Sequence, residues 1–121
     1  MALIRPLPQS QTGVTLWNNN NPTSSFSSQN VTLSNSMSNY AKIRVEFRVS
    51  TTESSSFYLE TTKAASTNFR ISPIMQISSD VYSRYMYPNN DTEMHFGGCY
   101  KNNTADAGNA YIIPIAIYGI N

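Results

Sequence analysis

Charged residues, cysteines and histidines are all scarce in this chain of 121 residues. Eight basic and seven acidic residues leave a net charge of +1, and the charged fraction is 12%, against roughly 25% in an average domain. A nucleic-acid binder usually presents a basic stripe, so this balance argues against a nucleic-acid partner. The single cysteine, Cys99, excludes an intrachain disulfide, and we expect it to be a small core residue.

Long apolar runs are also missing. No stretch approaches the 18 or more apolar residues of a membrane span, and the N-terminal apolar run is too short for the core of a signal peptide. We therefore expect a soluble protein with no membrane insertion. A length of 121 residues gives room for one domain with one core.

The residues that most enzymes and metal sites use are sparse or badly spaced. His95 is the only histidine, and no His-x-x-x-His or Cys-x-x-Cys spacing supports a metal. None of the seven acids forms the carboxylate pair that glycoside hydrolysis needs, and no glycine-rich phosphate loop occurs. We expect no catalytic residues, no bound metal and no cofactor, and hence a protein that is not an enzyme.

Small polar residues, rather than charged ones, make up most of the polar part of the chain. The chain has 17 Ser, 14 Asn and 11 Thr, which make 42 of 121 residues. Their side chains compete for backbone hydrogen bonds, so they disfavour helix interiors and suit turns and strand surfaces. This composition favours β structure.

Alternation of apolar and polar residues predicts the strands. Ile43, Val45, Phe47 and Val49 alternate with polar residues over 42–49, which indicates one buried and one solvated sheet face. Turn signals separate the predicted strands, and a loop is expected at 63–68. We predict an all-β fold, an antiparallel β-sandwich of jelly-roll type with about eight strands, in a single domain at 13–121 after an N-terminal arm at 1–12. The predicted strands cover residues 13–17, 26–33, 41–50, 54–62, 69–77, 81–87, 92–100 and 111–120.

Prolines and glycines set the expected interruptions. Pro73 predicts an edge strand or a bend, and Pro114 predicts an edge position or a bulge, because proline donates no ladder hydrogen bond. Pro88 opens a Pro-Asn-Asn-Asp sequence that we expect to end its strand as a turn. Gly97-Gly98 indicates a bulge or a close approach of the backbone, and residues 101–109 read as a polar loop.

One segment combines aromatic rings, amides and a carboxylate, the mixture that binds saccharides. Rings stack on the apolar face of a sugar while amides and carboxylates bond its hydroxyls, and such residues usually lie on loops. The alternative is a plain hairpin turn with its tyrosines packed beneath it. If binding lies elsewhere, the loops at 18–21 and 101–109 are the next candidates. The candidate ligand-binding residues are Tyr85, Tyr87, Asn89, Asn90, Asp91 and His95.

Motifs at both ends of the chain and along one central strand carry a resemblance. Towards the N-terminal end they are Leu16-Trp17-Asn18, Pro22-Thr23-Ser24-Ser25-Phe26 and Gln29-Asn30-Val31-Thr32-Leu33. They continue with Asn39-Tyr40, the strand from Ile43 to Val49, and the ending Ile112-Ile113-Pro114-Ile115-Ala116-Ile117-Tyr118-Gly119-Ile120. Together these motifs resemble the C-terminal β-sandwich domain of phage and prophage tail-fibre, baseplate or receptor-binding structural proteins.

The resemblance implies a part of a virion, made in the host cytoplasm. Domains of this kind are commonly homotrimers, contact other virion proteins and bind host-surface glycans. A trimer is therefore the first expectation for the oligomer. The alternative is a head or tail decoration protein that is not an enzyme and binds only other virion proteins.

Overall fold

A computed structural model describes residues 13–62 and 69–121 as an all-β chain with antiparallel sheets. The predicted arm at 1–12 and the predicted loop at 63–68 lie outside the described residues. A single turn of 3-10 helix covers Met37–Asn39. The strands are β1 (Val14–Asn18), β2 (Gln29–Thr32), β3 (Lys42–Ser50), β4 (Ser56–Thr62), β5 (Ile74–Ile77), β6 (Asp80–Ser83), β7 (Met86–Asn90), β8 (Glu93–Phe96), β9 (Tyr100–Lys101), β10 (Thr104–Ala105) and β11 (Tyr111–Ile120).

The first sheet has the strand order β1-β11-β3-β4. Strand β3 carries the alternation that the sequence predicts: Ile43, Val45 and Phe47 are fully buried, and the polar residues between them are half-buried. The polar side is partly covered because Arg44 pairs with Glu60 on β4 at 2.8 Å. The predicted buried face is confirmed at Ile43, Val45 and Phe47, but the alternation breaks at Val49, which is half-buried while Ser50 is buried.

Pro114 lies on a central strand, so the expected edge position is wrong and the expected bulge is confirmed. Strand β11 pairs with β1 on one side and β3 on the other, and its register to β3 shifts between Pro114 and Ala116. The shift allows a residue without an N–H inside the sheet. Asn19 bonds to the carbonyls exposed there: its side-chain Nδ2 donates to Pro114 at 2.9 Å, and its backbone N–H donates to Ile115 at 2.7 Å.

A three-stranded sheet has the order β2-β8-β7. The predicted strand at 81–87 breaks after β6 at Ser83, and β7 then continues through Pro88 to Asn90. The prediction that Pro88 ends the strand is wrong because β7 is an edge strand, where a missing donor is tolerated. The turn follows at Asp91 and Thr92.

The third sheet has the order β10-β9-β6-β5, with β5 at its edge immediately after Pro73. Residues 101–109 were expected to be a polar loop, but they begin with a tight hairpin in which β9 pairs with β10. Asn102 and Asn103 form its turn with φ of 51° and 64°. Asparagine tolerates this left-handed region better than most residues, which makes the two-residue turn possible. The break within 81–87 and this hairpin raise the strand count above the predicted eight.

One hydrophobic core joins residues of all three sheets, an arrangement consistent with a β-sandwich. Trp17 on β1 lies 5.5 Å from Phe96 on β8 between ring centroids, and Tyr82 on β6 stacks on Tyr111 on β11 at 3.8 Å. Cys99 is buried, as expected for a core residue. Burial raises the pKa of its thiol.

The core also contains a charged side chain that the sequence did not reveal. Arg84 is 1% exposed and donates to four backbone carbonyls: Phe26, Gly97, Tyr111 and Ile112, at 2.8–3.1 Å. Burial lowers its pKa to about 10. Four acceptors compensate for the lost hydration of the guanidinium, which binds carbonyls in its fixed fork geometry. Arg84 therefore ties the loop at Phe26 to β11 and to the residue after β8.

Candidate functional site

Pairing of β2, β8 and β7 aligns three polar residues across the outward side of their sheet. Asn30 on β2 pairs with His95 on β8, and His95 pairs with Tyr87 on β7. Their neighbours Val31 and Met94 are buried. Since successive side chains of a strand point to opposite sides, the residues in this row face away from the core.

Two tyrosine rings stand side by side on this outward surface. The Tyr85 and Tyr87 rings are parallel within 1° with centroids 6.0 Å apart, and the His95 ring lies 4.9 Å from Tyr87 and 6.1 Å from Tyr85. Gly97 provides the space for Tyr85, because a Cβ at that position would lie 2.6 Å from the ring. The close approach predicted at Gly97 is therefore made by the ring of Tyr85.

An arginine from a distant segment covers both rings. The guanidinium carbon of Arg70 lies 5.0 Å from the Tyr85 centroid and 5.2 Å from the Tyr87 centroid. Its side chain is exposed, and among the described residues no carboxylate forms a salt bridge with it. Arg70 adds a positive charge to this surface.

Amide and carboxylate groups fix the orientation of the histidine. Asn89 Nδ2 donates to Glu93 Oε1 at 2.9 Å and to Asn30 Oδ1 at 3.1 Å, and Asn30 Oδ1 lies 2.8 Å from His95 Nδ1. Because a carboxylate only accepts, the nitrogen of Asn89 must face Glu93. The Asn30 oxygen then accepts from His95, so Nδ1 carries a proton.

Two of the six candidate residues lie apart from this arrangement. Asn90 Oδ1 accepts from the Thr92 backbone N–H at 2.9 Å and from its hydroxyl at 3.1 Å, which closes the turn after β7. The Asp91 carbonyl accepts from Met37 N–H at 2.8 Å, and the residue is exposed. The structure therefore brings together Tyr85, Tyr87, Asn89 and His95, and places Asn90 at the end of β7 and Asp91 in the turn that follows.

Three members were missed from the sequence, and only one of them had a usable signal. Glu93 lies two residues before His95 on the same strand, with the buried Met94 between them. The alternation of a strand therefore places Glu93 and His95 on the same side of the sheet. Asn30 and Arg70 come from segments whose pairing with β7 and β8 cannot be read from a single sequence. The name tyrosine face is used below for the complete set: Asn30, Arg70, Tyr85, Tyr87, Asn89, Glu93 and His95.

No family model, curated protein or solved structure matches this chain. Within residues 13–62 and 69–121, no group of three or more His, Cys, Asp or Glu side chains is placed to hold a metal ion. The same described ranges contain no helix long and apolar enough to cross a membrane.

The tyrosine face can bind a polar ligand through several kinds of group at once. It offers two parallel aromatic rings, a cation over them, one carboxylate engaged by an amide, and an imidazole ring oriented by Asn30. Most of these groups lie on paired strands, so the scaffold holds them in place before a ligand arrives.

Proposed function

We propose that this chain is a structural domain of a bacteriophage virion, in a tail fibre, baseplate or receptor-binding protein, which binds a host-surface saccharide on the tyrosine face. The proposal includes a jelly-roll sandwich, a homotrimer, contact with other virion proteins and no enzymatic activity. The observation that carries the binding function is the parallel Tyr85 and Tyr87 pair beside the Asn30–His95 row.

The chemistry of the face suits a sugar. An aromatic ring packs against the C–H side of a pyranose, while hydroxyls need donors and acceptors at the rim. Tyr85 and Tyr87 supply the apolar surface; Asn89, Glu93 and His95 supply the rim. The virion role is supported by the resemblance of the two chain ends and strand β3 to phage structural domains.

When a sugar stacks on the two tyrosine rings, the Arg70 side chain must move off them or form hydrogen bonds with the sugar. An exposed cation–π contact is worth only about 0.5–1 kcal/mol, so the side chain can swing aside at small cost. Its guanidinium then becomes a donor to ligand hydroxyls or to a carboxylate of an acidic sugar. We expect acidic saccharides to bind at least as well as neutral ones on this face.

A glycan array with the purified full chain tests the proposal, together with binding to intact host cells. The variant is Tyr87→Ala, and Tyr58→Ala is a matched control. Tyr58 is also a tyrosine beneath an arginine, 4.4 Å from Arg44, but it lies on β4 of another sheet. We expect wild type and Tyr58→Ala to bind the same glycans and Tyr87→Ala to lose them. Equal binding by all three proteins would contradict the proposal.

A decoration protein that binds only other virion proteins is the second candidate. It is favoured by exposed apolar side chains on the β5–β6 pair, where Ile74 is 70% and Val81 39% exposed. Exposed apolar patches often mark protein interfaces. A silent glycan array and silent host-cell binding, combined with binding to purified virion proteins, would support this candidate over the first.

A further inference from the structure

An open cleft lies at the opposite side of β2 from the tyrosine face. Its volume is about 360 Å³, within the roughly 300–1,000 Å³ of small-molecule sites. Gln29 lines the cleft, and the next residue, Asn30, belongs to the tyrosine face; successive residues of a strand point to opposite sides. The cleft shares no residue with that face. It is lined by Trp17, Asn18, Asn19, Asn20, Asn21, Ser24, Ser25, Phe26 and Gln29.

The lining of the cleft has an unusual composition. It contains an indole ring, a phenyl ring, five amides and two hydroxyls, and none of its nine residues carries a charge. A phosphate or an acidic sugar would lose hydration there without meeting a cation, and a cation would meet no carboxylate. A neutral ligand with many hydroxyls fits, because each amide offers both donors and an acceptor.

The indole ring is held in the wall by the core. Trp17 contacts Phe26 edge-on at 6.0 Å and Phe96 at 5.5 Å between ring centroids, and it is half-buried. Its ring therefore has little freedom to lose when a ligand packs against it.

Hydrogen bonds hold Asn19 at the edge of the cleft, whereas the side chains of its neighbours Asn18 and Asn20 are not used in this way. Asn19 bonds to the β11 bulge through its Nδ2 and its backbone N–H, and its Oδ1 accepts from Asn21 N–H at 2.8 Å. Among the described residues, no side-chain hydrogen bond joins Asn18 or Asn20 to a protein group. Asn18 and Asn20 therefore lie on either side of the anchored Asn19, each with a side-chain amide whose donors and acceptor are available to a ligand.

We propose that this cleft is a second binding site, specific for a neutral saccharide, with Trp17 as the packing surface and Asn18 and Asn20 as hydrogen-bonding groups. The inference does not rest on binding at the tyrosine face. The two sites differ in charge, because Arg70 and Glu93 stand on the tyrosine face and the cleft has no charged lining residue.

Tryptophan fluorescence tests this inference directly, since Trp17 is the only tryptophan in the chain. The full chain is titrated with glucose, galactose, mannose, N-acetylglucosamine and their short neutral oligomers, and with sialyllactose as an acidic comparison. We expect a saturable change in emission with at least one neutral sugar and none with the acidic one. The absence of a saturable change with every neutral sugar would overturn the proposal.

Variants assign the signal to the cleft. Losing one hydrogen bond weakens binding by roughly two- to tenfold, so Asn18→Ala and Asn20→Ala should each raise the dissociation constant by that factor. Both residues are exposed, so the fold is expected to tolerate the changes. Tyr87→Ala should leave the titration unchanged, which separates a failure at the tyrosine face from a failure at the cleft. Unchanged affinity in the Asn18→Ala, Asn20→Ala double variant would also overturn the proposal.

Discussion

At the residue scale, Arg84 is a buried cation that joins separate parts of the chain. Among residues 13–62 and 69–121 it is the largest side chain that is fully buried, and it supplies donors to four carbonyls from three parts of the chain. One of those carbonyls belongs to Ile112, whose φ of 52° is rare for a β-branched residue. Arg84 therefore binds the carbonyl of a residue whose backbone conformation is unfavourable in itself.

We expect Arg84→Met to lower the free energy of unfolding by about 3 kcal/mol or more. Each buried carbonyl left without a donor costs about 1–3 kcal/mol, and only part of this is recovered by removing a buried charge. Urea unfolding measures the change. Arg70→Met, which removes an exposed arginine and its contacts with two tyrosine rings, is the control and should cost no more than about 1 kcal/mol. A change equally small for Arg84→Met would show that its hydrogen bonds to the four carbonyls do not stabilise the fold.

Tyr82 makes stability depend on alkaline pH. Burial and the neighbouring Tyr111 raise the pKa of Tyr82 from 10.0 to about 12. The folded chain therefore keeps a proton that the unfolded chain releases, so the contribution of Tyr82 is complete below pH 10 and is lost as pH rises towards 12. Arg84, with its lowered pKa, acts in the opposite sense over the same range.

Comparison of wild type with Tyr82→Phe isolates the tyrosine, because the Arg84 contribution is common to both. We expect the urea midpoint of wild type to fall more steeply between pH 9 and 11.5 than that of the variant. Parallel pH profiles would show that Tyr82 has no raised pKa in the folded protein.

At the element scale, strand type was easier to predict than strand extent. β3 was recognisable because alternating residues face core and solvent, which is a local property. The break between β6 and β7 was not recognisable, because nothing in the local pattern marks Arg84 as a buried residue that binds four distant carbonyls. The hairpin at Asn102 and Asn103 had a local signal, since paired asparagines favour turns with positive φ. Pro114 was ambiguous because a bulge and an edge strand both accommodate proline.

Gly97 links the end of β8 to the tyrosine face, and its replacement tests that link. We expect Gly97→Ala to push the Tyr85 ring out of its parallel alignment with Tyr87, since the new Cβ would lie 2.6 Å from it. Such overpacking typically costs about 1–3 kcal/mol. Binding of the array glycans should weaken, measured at a temperature where the variant remains folded by circular dichroism.

Gly119→Ala provides the matched control, because its Cβ would collide with the ring of Tyr40 instead. We expect a comparable loss of stability and unchanged glycan binding. If both variants weaken binding equally, the effect comes from destabilisation and Gly97 has no special role in the face.

At the scale of the whole molecule, the all-β antiparallel class could be predicted from the sequence, but the pairing of the strands could not be derived from its local patterns. Tyr85, Tyr87, Asn89 and His95 could be grouped because they lie within eleven residues of chain. Arg70 could not be added to them. Its approach depends on the chain before β5, where Ile71 forms an isolated bridge with Met86. Long-range contacts of this kind arise from packing rather than from local pattern.

The oligomeric state is a prediction for the whole molecule. The resemblance to phage structural domains implies a homotrimer, and the exposed Ile74 and Val81 offer apolar surface for a subunit contact. Sedimentation equilibrium at micromolar concentration should give the mass of three chains. A monomer under these conditions would contradict the trimer and leave the binding proposals to be tested on the single chain.

The most direct test of the central claim is an amide-resolved NMR titration of the full chain with the glycan that binds most tightly on the array. We expect the largest shift changes at Asn30, Tyr87 and His95 on the outward side of the β2-β8-β7 sheet. Amides of β4 around Tyr58, on another sheet, should not move. Saturable shifts confined to other strands, with Asn30, Tyr87 and His95 unmoved, would contradict saccharide binding on the tyrosine face.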